Sequence, residues 1–334
     1  MNAHLYAIVK QLLAPKKGVL ASDESIESAN KNLAKVGVEG TKENRRLYRE
    51  LFIGTPGIGK YLSGIILFDE TLRQCDTNRI PFRDILKKEG VLIGIKVDKG
   101  TKPIPAFEDE VYTQGLDGLD ERIDEYVALG AKFAKWRCVF EIGEKIPTDE
   151  AIDINMIGLA QYASICQKGG LVPIVEPEVL YNGNHSIAQA NSTTTKVLQQ
   201  LVLNLHKYKV DLKATVLKTG MVLAGKDYLR QSEPNEVASV TVQTLRETLP
   251  KELGGIVFLS GGQTPDQATL NLDAIAKLEP LPWEIAFSFL RAIEGPSAEI
   301  WAGQEKNVPA ARTEFLKRLK DNTRADVGKF SVKD

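Results

Sequence analysis

Short apolar, β-branched runs alternate along the chain with longer stretches whose apolar residues recur at helical spacing. Eight such runs stand out: GVLASD (18–23), GIILFD (64–69), LIGIKVD (92–98), FAKWRCV (133–139), LVPIVEPE (171–178), ATVLKT (214–219), GIVFLSGG (255–262) and IAFSFLR (285–291). Runs this short and this rich in Val and Ile predict buried strands. Helical signals separate them. TKENRRLYRELF opens on Thr41 as an N-cap, DERIDEYVALG stops at Gly130, and DEAIDINMIGLAQYASICQKGG stops at Gly169-Gly170. NEVASVTVQTLRETLP and PDQATLNLDAIAK follow the same logic, the latter started by Thr264-Pro265. Strand–helix alternation implies parallel strands joined by right-handed crossovers. Eight units predict a single-domain (β/α)₈ barrel over residues 1–334, with a doubly wound sheet as the alternative. The opening MNAHLYAIVKQLLAPKKG carries Lys10 inside its apolar stretch and no small-residue cleavage pattern, so a docking helix over 1–14 is expected rather than a signal peptide. A short C-terminal tail is expected over 322–334.

Composition narrows the partners. The 334 residues carry 43 basic and 44 acidic side chains, a formal net charge of −1. No global basic field exists to attract nucleic acid, so any anion site must be local. No apolar run approaches the ~20 residues of a membrane span. Neither nucleic acid nor membrane is therefore expected as a partner.

The scarce residues exclude several chemistries. Cys75, Cys138 and Cys166 form no C-x-x-C pair, and so few cysteines argue for a reducing, cytoplasmic setting. His4, His185 and His206 are far apart, with no metal-ligand spacing, so no metal is expected. No G-x-S-x-G elbow is present. The chemistry falls to lysines and carboxylates.

Those residues gather at the C-terminal ends of the predicted strands: Asp23, Lys96, Asp98, Lys135, Arg137, Glu176, Glu178, Lys218, Ser260 and Arg291. Barrel active sites lie at that end. Residues two apart share a face, so Lys96 with Asp98, Lys135 with Arg137, and Glu176 with Glu178 are same-face pairs. A single charge at a strand end is usually a solvated rim. Lys135 between Ala134 and Trp136, and Lys218 within ATVLK, are different, because a buried lysine is costly unless paired or functional. Repetition over seven of the eight strands favours one shared site.

A lysine is a nucleophile only as the free amine, and at an ordinary pKa of ~10.4 roughly one in 2,500 is free at pH 7. Burial and neighbouring cations favour the free amine. Lys218 is expected to have both, with no carboxylate in its own run. Attack on a ketone gives an iminium, an electron sink for cleavage of an adjacent C–C bond. Asp23 and Glu176 are candidate proton-transfer groups. Ser260, Gly261 and Gly262 offer backbone N–H groups ahead of a helix, with Arg291 at the end of strand eight beside them. Together they make a candidate phosphate cradle. Ser25, Ser28 and Lys96 make a second candidate anion site on the opposite rim. The two serines equally suit N-capping of the following helix.

At this point the chain resembles the class I fructose-1,6-bisphosphate aldolases. The segments LASDES, ENRRLYRELF, GIILFDETL, GIKVDKG, TQGLDGL, FAKWRCV, QYASICQ, VPIVEPE, LKTGM and FLSGGQ carry the resemblance, in order, over nearly the whole chain. It implies a (β/α)₈ barrel that cleaves fructose 1,6-bisphosphate to dihydroxyacetone phosphate and glyceraldehyde 3-phosphate through a lysine Schiff base, with no cofactor and no metal. Lys218 matches the Schiff-base lysine, and Glu176 the acid/base that removes water from the carbinolamine. Asp23 matches the carboxylate beside the C4 hydroxyl, with Lys135 as its cationic neighbour. Glu178, Arg137 and Asp98 match charged residues of the same pocket. Ser260, Gly261, Gly262 and Arg291 match contacts to the C1 phosphate, and Ser25, Ser28 and Lys96 contacts to the C6 phosphate. A phosphosugar substrate and a homotetramer are also implied. Three departures stand out: Thr219-Gly220 follow the lysine where Pro-Asn is usual, Lys213-Ala214 replace Glu-Gly upstream, and Asn32 stands where many members have an arginine. The familiar eukaryotic members also end in a tyrosine that assists proton exchange, whereas the last tyrosine here is Tyr228. A pyridoxal-phosphate barrel enzyme and a non-catalytic phosphosugar-binding barrel are the competing readings.

Overall fold

The structure is a computed structural model that describes residues 2–107 and 109–331. Eight parallel strands run in chain order around one sheet: β1 (Gly18–Ser22), β2 (Leu62–Leu67), β3 (Leu92–Lys96), β4 (Phe133–Phe140), β5 (Val172–Val179), β6 (Val216–Thr219), β7 (Gly255–Phe258) and β8 (Ile285–Phe287). The strands are the eight apolar runs, trimmed or shifted by a few residues. The seam between the last strand and the first is closed by the Ala21 N–H, which donates to the Phe289 carbonyl at 3.1 Å. This near-closed barrel replaces the doubly wound alternative.

Among the described residues twelve α-helices surround or cap the barrel: α1 (Ala3–Leu12), α2 (Ile26–Lys35), α3 (Lys42–Ile53), α4 (Asp69–Leu72), α5 (Phe82–Lys88), α6 (Leu119–Ala128), α7 (Asp149–Lys168), α8 (Ile187–Lys207), α9 (Pro234–Thr248), α10 (Pro265–Ala276), α11 (Arg291–Trp301) and α12 (Val308–Ala325). Their starts follow local chemistry. Thr41, Thr148, Ser186 and Thr264 each accept a hydrogen bond from a backbone N–H of the first turn. Arg291 is the first residue of α11 rather than the last of β8, because the chain turns helical at Leu290. The expected tail begins later than residue 322. The last helix runs to Ala325, with Asn322 and Thr323 buried in it. Residues 332–334 lie outside the described residues.

Alternation along each strand sorts side chains into two cores. Val19, Ala21, Ile66, Val172, Ile174, Val216 and Val257 fill the barrel interior, while Leu20, Ile65, Trp136, Val175, Leu217 and Ile256 face the helical shell. Helix α1 closes the floor, burying Leu5, Ile8, Val9 and Leu12 against the interior residues. Phe133 covers Gly64 and Gly94, and no Cβ would fit at Gly94 beneath its ring. On the outer side of the seam Phe287 lies equally close over Gly18.

Candidate active site

The parity that sends Val19, Ile174 and Val216 inward sends Asp23, Glu176 and Lys218 inward as well, at the opposite end of the barrel. The register aligns neighbours: Lys96 pairs with Lys135, Arg137 with Glu176, and Val175 with Leu217, one step below Glu176 and Lys218. The mouth there encloses a cavity of ≈ 390 Å³, within the range of small-ligand pockets. Of the expected residues, Asp23, Ser25, Ser28, Lys96, Lys135, Arg137, Glu176, Glu178, Lys218, Ser260, Gly261 and Arg291 line it. Gly262 and Asp98 do not; Gly262 is exposed, and a Cβ there would stand 3.6 Å from Arg291 Nη2.

A chain of alternating charge crosses the cavity floor. Lys135 Nζ is 2.6 Å from Asp23 Oδ2 and 3.1 Å from Glu176 Oε2, and Glu176 Oε1 is 3.2 Å from Lys218 Nζ. All four side chains are buried. Lys218 has no carboxylate in its own run, but the neighbouring strand β5 brings Glu176 to it, in keeping with the acid/base role that the resemblance gives Glu176. At the rim Arg137 Nε is 2.5 Å from Glu178 Oε2, and Lys96 Nζ is 3.1 Å from Asp98 Oδ1.

Burial alone would drive Asp23, Glu176 and Lys135 neutral, but the mutual charges outweigh it. Asp23 is desolvated, yet Lys135, Lys218 and Lys96 hold its carboxyl well below the usual range. Glu176 is likewise desolvated, and Lys135, Lys218 and Arg137 hold it below. Lys135 is desolvated too, and Asp23, Glu176 and Asp98 raise its pKa, so it remains an ammonium.

The two expected anion-binding groups stand at separate ends of the cavity. At one, Gly261 and Gly262 adopt φ of +55° and +92°, turning the chain after Ser260 beneath Arg291. At the other, Ser25 caps α2 by accepting from Ser28 N at 3.3 Å and also lines the cavity, so the capping role does not take it out of the cavity wall.

Several lining residues were not anticipated. Ser288, buried at the end of β8, aims an Oγ with no hydrogen-bond partner among the described residues. Its parity with Ala286 was the available signal. Lys31 and Lys35 join Ser28 and Asn32 on one face of α2, at the helical spacing that reading only strand ends passes over. Asn32 donates to Glu24 Oε1 at 3.2 Å. Among the described residues no cluster of three or more His, Cys, Asp or Glu side chains is placed to hold a metal.

Comparison with known proteins agrees with this geometry. The family model described as "Fructose-bisphosphate aldolase class-I" matches residues 4–334. The chain is 45% identical over 320 residues to a "Probable fructose-bisphosphate aldolase class 1" of Xylella fastidiosa, covering 96% of each. It is 46% identical over 332 residues to a fructose-bisphosphate aldolase of Drosophila melanogaster, covering 99% of this chain and 92% of the relative. Its fold superposes on fructose-bisphosphate aldolase from Plasmodium falciparum, solved in complex with TRAP and a small-molecule inhibitor. That likeness has a TM-score of 0.97 at 44% identity and covers 98% of this chain and 95% of the other.

Proposed function

The chain belongs to the class I fructose-bisphosphate aldolase family, and from that premise we propose that Lys218 is the amine that carries the substrate. The family reaction is the reversible cleavage of fructose 1,6-bisphosphate to dihydroxyacetone phosphate and glyceraldehyde 3-phosphate through a lysine Schiff base, a lyase activity (EC 4.1.2.13) that uses no metal. Membership sets aside the pyridoxal-phosphate and binding-only readings.

The observation that carries the assignment is the asymmetry between the two buried lysines. Lys135 has two carboxylates, at 2.6 and 3.1 Å, and is held protonated, without a lone pair to offer. Lys218 has one, Glu176 at 3.2 Å. The Lys218 amine attacks C2 of the open-chain ketose to give a carbinolamine. Glu176, ionised and 3.2 Å from Lys218, takes the proton that Lys218 gives up on becoming the free amine and returns it to the departing hydroxyl; water leaves, and an iminium remains. Asp23, held as a carboxylate, accepts the C4 hydroxyl proton. The C3–C4 bond then breaks, its electrons enter the iminium, and the aldehyde product departs. Protonation of the resulting enamine at C3 restores the iminium, and water releases dihydroxyacetone phosphate and the free amine. Lys135 acts electrostatically throughout, keeping Asp23 and Glu176 ionised until each is needed. Glu178 and Arg137 shape the rim. Ser260, Gly261, Gly262 and Arg291 take the C1 phosphate, and Ser25, Ser28 and Lys96 the C6 phosphate.

A cytoplasmic homotetramer goes with this reading. Three free cysteines suit a reducing compartment, and among the described residues no helix is long and apolar enough to cross a membrane. Borohydride reduction with dihydroxyacetone phosphate, followed by peptide mapping, tests the assignment. The label is expected on Lys218; label on Lys135 or Lys96 overturns it.

A further inference from the structure

Arg49 of α3 does not line the cavity, yet it is hydrogen-bonded to the segment at one end of it and stands 4.0 Å from Glu294 of the helix at the other. One Nη donates to Ser22 Oγ at 3.1 Å and pairs with Glu24 Oε2; the other donates to the Glu24 carbonyl at 3.2 Å. Glu24 stands between Asp23 and Ser25, the cap of α2, and Asn32 of α2 donates to its Oε1. On the other side Arg49 lies 4.0 Å from Glu294 Oε2, one helical turn beyond Arg291 on α11. The Tyr48 hydroxyl donates to the same Glu294 oxygen at 3.1 Å and lies 3.4 Å from Glu24 Oε1.

The cluster is buried and its charges balance. Arg49 is 2% exposed and Glu294 fully buried. Burial, and then the charge on Glu24, hold the Glu294 carboxyl well above the usual range, so Glu294 is neutral while Glu24 and Arg49 form the ion pair. A planar guanidinium reaches Ser22, Glu24 and Glu294 from one position, which a lysine ammonium cannot do.

We propose that Arg49 is a positioning residue that sets the span between the two phosphate-binding ends, holding Ser25 and α2 through Glu24, and Arg291 and α11 through Glu294. The inference rests on the two-ended phosphate reading given above. A substrate with two phosphates must meet both ends at one fixed separation. A substrate with only the C1 phosphate engages the Arg291 end and can follow it if it moves. A buried pair that merely supports the fold would not distinguish the two.

The test is steady-state kinetics of Arg49→Lys with fructose 1,6-bisphosphate and fructose 1-phosphate. The expected result is a KM for the bisphosphate raised about tenfold, the loss of one charge-assisted contact. The KM for the monophosphate and both kcat values should stay within about twofold, as for an end that moves with its ligand. Ser22→Ala removes one Arg49 contact and leaves the ion pair. It should move the same KM in the same direction by about threefold, and it decides the matter if Arg49→Lys does not fold. Equal losses on both substrates, or a fall in kcat at constant KM, overturn the proposal. Arg291→Ala is measured alongside. If it leaves KM unchanged for both substrates, the phosphate reading itself has failed; if it raises KM while Arg49→Lys and Ser22→Ala do not, only the role of Arg49 has.

Discussion

Replacing Lys135 by Met removes one cation from between two buried carboxylates. The side chains are similar in length, so the cavity floor stays filled while Asp23 loses its 2.6 Å partner and Glu176 its 3.1 Å partner. Removing one member of a buried pair costs about 3–5 kcal/mol, because the other charge is left uncompensated. At 1.36 kcal/mol per unit, that is an upward shift of about two to four pKa units shared by Asp23 and Glu176. The sign follows from the wild-type state. Both carboxyls are depressed in the fold, so their stabilisation is complete above the ordinary carboxylate range and is lost as pH falls through the folded values. In the variant the desolvation of both carboxyls is no longer offset by Lys135, so protonation sets in at a higher pH than in the wild type. The acid limb of the kcat/KM profile for fructose 1,6-bisphosphate should therefore rise by about two to four units. Turnover at pH 7 should fall about 10²- to 10³-fold, the kinetic equivalent of ~3–4 kcal/mol. Trapping with dihydroxyacetone phosphate and borohydride should persist at a reduced level, since Lys218 remains. A coupled cleavage assay across pH, with circular dichroism to confirm folding, measures both effects. A folded variant with wild-type turnover and an unmoved acid limb would refute the electrostatic role.

Arg291→Ala should raise KM for fructose 1,6-bisphosphate and lower kcat/KM by about 10- to 150-fold, the 1.5–3 kcal/mol of a charged hydrogen bond. Arg291→Lys should recover part of the loss, and unchanged kinetics would remove Arg291 from the site. Gly262→Ala meets only ordinary contacts, 3.6 Å from Arg291 and Tyr181, but places a side chain at φ +92°. The strain of about 1–3 kcal/mol should appear as a weaker KM for phosphorylated substrates, and an unaltered KM would show that the turn is not part of the cradle. Activity should survive exhaustive chelation, and a loss restored by zinc would refute an iminium as the electron sink.

The strands were legible because a strand buried on both faces reads as a continuous apolar run, and the inward charges because strand parity is two. The Lys218–Glu176 contact was not legible, since it depends on which strand is the neighbour and at what register. Arg291 was misplaced by one element because the run before it, IAFSFL, is apolar but for Ser288, and nothing local marks where β8 ends and α11 begins. The Arg49 cluster escaped for another reason: ENRRLYRELF reads as an ordinary charged helix, and only packing shows Arg45 and Arg49 to be buried. Asn32, notable as a departure, proved to be tied to that cluster through Glu24.

The seam between β1 and β8 has a consequence for biosynthesis. Gly18 accepts the ring of Phe287, and the Ala21 amide waits for the Phe289 carbonyl. A ribosome adding about 5–20 residues per second needs roughly 13 to 54 s to travel from position 18 to position 287. Throughout that interval the nascent chain carries the first strand with one edge unpaired and the apolar interior open along it. Closure is thus a late event tied to the final strand, and the emerging polypeptide is exposed to aggregation and to chaperone capture until position 287 of the 334 residues has been made.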